Sequence, residues 1–124
     1  MRDTVSEYAD TAREAVRALN HATYPGQSEL RGPDDAYTVL CSLASLVYGL
    51  RQSLDQLAGW AQRQAQLRQI EVVDGTHAGD PAGLATAVRA ELNAAVPALA
   101  VASSLISQAH QLMADVAAAA GDPR

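Results

Sequence analysis

The chain is 124 residues long, a length that fits one domain, and it carries a formal net charge of −5. That balance gives no bulk attraction to nucleic acid or anionic lipid. A single cysteine excludes an intrachain disulfide framework, while a hydrophobic content of 48% is enough for a core.

All nine basic residues are Arg, Phe is absent and Ala is abundant. This bias reads as the imprint of a GC-rich genome. Ala and Leu with few aromatics and few β-branched runs predict an all-α protein. The segment Met1–Glu7 has no apolar core, so no secretory signal is expected. No window approaches ~18 uninterrupted apolar residues, so no membrane span is expected either. The expected compartment is the cytoplasm.

A first helix is predicted over residues 4–22. Thr4 and Glu7 have the spacing of a capping box, and Val5, Tyr8, Ala12, Ala15 and Leu19 repeat at three and four. Pro25-Gly26 and Gly32-Pro33 mark a loop. Asp34 is the expected cap of a second helix over 35–71, with Asp35 in its first turn.

That second helix organises the chain. Ala36, Leu40, Leu43, Val47, Leu50, Leu54, Leu57 and Ala61 alternate at four and three, which is a coiled-coil seam. With Leu40 at a, the g positions are Val39, Leu46, Trp60 and Leu67. The e positions, Tyr37, Ala44, Arg51, Ala58 and Ala65, read as smaller and wetter. Polar Gln64 and Arg68 take seam positions near the end. Asp74-Gly75 signals a turn, and Val72-Val73 has no strand partner.

The third helix is predicted over 81–120, with Asp80 as N-cap and Pro81 at its first position. Its seam runs Val88, Leu92, Ala95, Leu99, Ala102, Ile106, Ala109, Met113 and Val116. Three successive d positions are Ala, which permits close helix approach. Pro97 falls at f, pointing away from the seam, and Gly121 and Pro123 end the helix.

Two long heptad helices joined by a loop predict an antiparallel hairpin. The shorter first helix is expected to pack on its open end, in a groove lined by Val39, Leu46, Leu105 and Leu112. That makes a coiled-coil-like three-helix bundle in one helical domain, 1–124. A bare stalk remains beyond it, with Trp60, Leu67 and Leu84 along the uncovered groove. Either the stalk frays or the loop covers it, or another chain does. The last option predicts a homodimer or a helical protein partner, with Trp60 as anchor.

Candidate chemistry is sparse. With the turn centred near Thr76, Cys41 and His110 share a level, as a nucleophile and base would. No third ligand joins them, so the expectation is a surface thiol and a surface imidazole. His21 and His77 lie apart in or beside loops, and no metal site or cofactor is expected. Residues 74–80 lack the alternating carboxylates of a calcium loop and read as a turn. Arg51, Arg63 and Arg68, with Trp60 and several glutamines nearby, leave an alternative: a nucleic-acid accessory factor of a mobile element. Phosphate loops, Ser-His-Asp spacing and paired carboxylates are absent, so no enzyme is expected.

The segments Asp34-Asp35-Ala36-Tyr37-Thr38-Val39-Leu40 and Asp74-Gly75-Thr76-His77-Ala78-Gly79-Asp80-Pro81 resemble those of a group of uncharacterised short helical proteins from actinobacteria. That group is often met among plasmid and phage-like genes. The resemblance implies a helical fold and a high-GC source, and no activity. The hairpin is also similar to the small Trp-x-Gly substrates of specialised actinobacterial secretion. The order here is Gly59-Trp60, and Trp60 falls within a helix rather than in the turn.

Overall fold

Three helices form: α1 (Val5–Ala22), α2 (Pro33–Gln66) and α3 (Pro81–Ala120). The structure, a computed structural model, describes residues 4–120, with side chains through 116. The helix end expected at Gly121 and Pro123 lies outside them. The protein is all-α, and α2 and α3 pack together as an antiparallel hairpin.

The caps follow from the sequence at two of three starts. Thr4 and Glu7 close a complete capping box on α1. Asp80 accepts from the Gly83 N–H at 3.0 Å and starts α3, with Pro81 next. α2 starts earlier than Asp34. Gly32 is its N-cap and Pro33 its first residue, the same use of proline as at Pro81. Asp35 reaches back instead, accepting from the Arg31 N–H at 2.8 Å.

α2 also stops early, at Gln66 instead of 71. Arg68 adopts a left-handed conformation (φ 57). Its N–H donates to the Ala65 carbonyl at 3.2 Å, and the Gln69 N–H donates to the Gln64 carbonyl at 2.9 Å. These two bonds are a Schellman cap built without glycine. The seam had turned polar at Gln64 and Arg68, so a longer helix would have had no apolar residue to bury there. The turn then uses Gly75 (φ 87) and Gly79 (φ 73), and the Gly79 N–H donates to the Val72 carbonyl at 2.9 Å.

The early stop moves the centre of the hairpin toward lower numbers. Tyr37 therefore lies level with His110, and Ala44 with Ser103. The sequence reading had placed Cys41 at that level.

The helices also meet on a different flank. In α2, Ala44 and Ala58 at e are buried, while Leu50 and Leu57 of the expected seam are half open. In α3, Ala85 and Ser103 are buried. The Ser103 hydroxyl donates to the Ala44 carbonyl at 3.0 Å, a contact that requires the two backbones to lie close. Small residues decide the geometry. An Ala row on one helix facing Ala and Ser on the other admits the closest approach, and the larger a residues straddle it.

One cross-hairpin polar clasp supports the stalk. The Arg89 Nε donates to the Gln62 side-chain oxygen at 2.7 Å, and its guanidinium lies 3.5 Å from the Asp55 carboxylate.

The last turn of α1 borders a hollow at the open end of the hairpin. Leu19, Ala22 and Thr23 line it with Leu30, Thr38 and Val39. Helix-on-helix packing among the described residues is confined to α2 and α3. The groove at Leu46, Leu105 and Leu112 stays open, and so do Val5 and Tyr8 on α1. The connection explains this. The Gln27 N–H donates to the Tyr24 carbonyl at 3.0 Å and the Glu29 N–H to the Ala22 carbonyl at 2.7 Å. This bonded turn fixes the exit of α1 and does not fold it along the groove. The exposed face of α1 holds its own ion pairs, Arg13 with Asp10 and Glu14, and Arg17 with Glu14.

By length and composition, Pro81–Val116 is apolar enough to cross a membrane, which the sequence reading did not expect. Only 6% of its most apolar window is buried within the structure.

Candidate interaction surface

Closing the hairpin on its e flank gives it two unlike sides. The e side is polar, and the opposite side, built from d and g positions, is open and apolar but for Ser53, Gln64 and Glu91.

On the open side, α2 presents Leu46, Leu50, Leu57, Trp60 and Leu67. α3 presents Leu105, Leu112 and Val116. These eight side chains are 40 to 70% exposed. Trp60 is 51% exposed and Leu67 63%, while Leu84 is half-buried at the stalk end of the same flank. By heptad position Trp60, Leu67 and Leu84 are all g residues, and Leu67 is the C-cap of α2. The reading missed Leu50 and Leu57, because it assigned them to the hairpin seam. The signal was present: three of the five e positions of α2 are alanine, and α3 offers small residues to meet them.

Counting on the order of 100 Å² for each half-exposed large side chain, the eight leave roughly 800 Å² of apolar surface. The largest apolar patch on a typical monomer is about 300–600 Å². The interior shows the complementary deficit. The buried apolar residues are Ala44, Ala58 and Ala85, and no large side chain is fully buried among the described residues.

The polar side brings together less than the sequence suggested. His110 stacks on Tyr37, with ring centroids 4.0 Å apart and planes tilted by 31°. Its Nε2 is buried without a hydrogen-bond partner. Cys41 is a free, exposed thiol one turn further along α2. His21 is exposed at the end of α1, and His77 is half-buried in the turn. Among the described residues no group of His, Cys, Asp and Glu is placed to hold a metal ion.

The three arginines of the nucleic-acid alternative do not form one track. The Arg51 guanidinium lies 4.6 Å from the Tyr48 ring centroid, on the polar side. Arg63 leans toward Gly59, and Arg68 lies past the helix end. A hollow of ≈ 450 Å³ opens between Tyr48, Arg51, Asp55, Asn93, Val96 and Pro97. Pro97 is exposed and lines the rim of this hollow. Lacking an N–H, it leaves the Asn93 carbonyl without its usual helical donor.

No family model matches the chain, and neither a curated protein nor a solved structure shows significant similarity to it.

Proposed function

We propose that this protein is a non-enzymatic helical interaction module that self-associates as a dimer through the open d/g flank of its hairpin. Trp60, Leu67 and Leu84 are its proposed anchors. One observation carries the reading: among the described residues every large apolar side chain is at least partly open, and the buried apolar residues are alanines. A chain with so thin an interior gains the rest of its burial from another surface. The open flank matches the ~800 Å² that each partner gives to a standard interface. A free, exposed thiol at Cys41 fits a reducing compartment, so we place the module in the cytoplasm.

The test is the solution mass by light scattering after gel filtration, for the native chain and for Trp60→Ala with Leu67→Ser. The native chain should run as a dimer. Loss of these two apolar side chains should weaken association about a hundredfold or more, with helicity retained. Undiminished association in the double variant would remove this flank from the interface.

A further inference from the structure

We infer that the second copy lies antiparallel along the flank in one register, with a two-fold axis beside Ala100, so that the stalk of each chain covers the open end of the other. This rests on the self-association proposed above and adds the pairing.

The flank carries two stripes. On α2, Ala36, Val39, Leu43, Leu46, Leu50, Ser53, Leu57 and Trp60 alternate at three and four. On α3, Leu84, Val88, Glu91, Ala95, Ala98, Ala102, Leu105, Ala109, Leu112 and Val116 keep the same d and g phase, with the exposed Glu91 as the one charge on the stripe. A two-fold axis perpendicular to the helices sets each stripe against its own reversed copy. The longest overlap places the axis at the midpoint of α3, which spans Pro81–Ala120. Ala98 then faces the partner's Ala102, and Ala95 faces the partner's Leu105. Val88 meets the partner's Leu112, and Leu84 meets the partner's Val116. Small residues stand at the axis, and the most exposed leucine of α3, Leu112 at 70%, gains an apolar cover.

α2 reads the same axis from its own stripe. Leu46 faces the partner's Leu50, which centres that helix on Tyr48. The Ala44–Ser103 contact puts Tyr48 level with Leu99. The two axes thus agree within one residue, about 1.5 Å along a helix. In this register Leu43 faces the partner's Ser53, Val39 the partner's Leu57, and Ala36 the partner's Trp60, while Leu67, beyond the end of α2, falls opposite the partner's loop at Glu29 and not a helix. The largest side chain meets one of the smallest.

Neighbouring registers are poorer. A slip of one heptad one way carries Leu57 and Trp60 past the start of α2 at Pro33, where no helix covers them. A slip the other way carries Val116 past the start of α3 and sets Leu43 against the partner's Trp60. The area supports a second copy in particular, because each copy brings the same ~800 Å² of apolar flank that it needs to cover.

Disulfide trapping tests the register. In a Cys41→Ser background, Val39→Cys with Leu57→Cys puts two thiols about 27 Å apart on one helix, beyond intrachain reach. Ala95→Cys with Leu105→Cys does the same on α3, at about 15 Å. Val39→Cys with Leu50→Cys reports the slipped register. Mild oxidation should give covalent dimer with the first two pairs, several-fold above the third. A dimeric mass with the third pair dominant, or with no trapping by the first two, overturns the register and leaves self-association standing. A monomeric native chain at every concentration overturns both. So does a native chain that runs as a monomer and sediments with phosphatidylcholine vesicles, since lipid then covers the flank.

Discussion

Ala58→Leu probes the closest point of the hairpin. Ala58 is 0% exposed, on the row where α2 meets α3. Its level on α3 is that of Arg89, whose guanidinium bonds Gln62 at 2.7 Å. A leucine adds three carbons at a position already closed to solvent. Over-packing of this kind costs about 1–3 kcal/mol. Displacing Arg89 loses a charge-assisted hydrogen bond worth about 1.5 kcal/mol. The Asp55 pair adds little, because that carboxylate is mostly in solvent. The sum is a loss of about 3 kcal/mol. Urea denaturation followed by circular dichroism, compared at one protein concentration, should show the midpoint fall by ~1–2 M. A neutral or stabilised Ala58→Leu would mean that α2 turns its a/d seam to α3 after all. It would also remove Leu50 and Leu57 from the open flank.

Two further substitutions test the helix ends. Arg68→Gly should stabilise the chain by about 1 kcal/mol, because the left-handed position at φ 57 suits glycine and the Schellman bonds use only backbone; a lower melting temperature would point to an unseen role for the Arg68 side chain. Asp80→Ala should cost about 1 kcal/mol through loss of its bond to the Gly83 N–H, with Asp80→Ser or Asp80→Asn recovering most of it in the same thermal melts.

Local signals in the sequence were read well where they act alone. Thr4 with Glu7, and Asp80 with Pro81, specify helix starts within four residues, and both stand in the structure. Heptad spacing specified two long helices and their antiparallel pairing. What it left open was rotation. Apolar residues on α2 occupy d, g and a, and the hairpin can close on either side of that arc. The choice falls to the small residues of the other side, Ala44 and Ala58 against Ala85 and Ser103, since backbone proximity favours close contact over large side chains. Register suffered from one left-handed arginine. Arg68 ends α2 early, and the shift that follows sets Tyr37 in place of Cys41 opposite His110. The position of α1 depends on a bonded turn among residues 22–35, whose hydrogen bonds are not periodic and leave no pattern to read.

The charge distribution leads to the same surface by a separate route. From Leu92 to Ala114, α3 carries no residue that is charged with His neutral, on any face. A helix apolar or neutral all round belongs inside a protein or a bilayer. Yet α3 packs on α2 alone, and Val101, Leu105 and Leu112 stand open. α1 is the opposite case, with Glu7, Asp10, Arg13, Glu14 and Arg17 all solvent-facing. An outer helix is written as an outer helix, and α3 is written as a central one. One neighbour does not make α3 central. The second hairpin proposed for its d/g flank would, with Asp55 and Arg89 left on the opposite side.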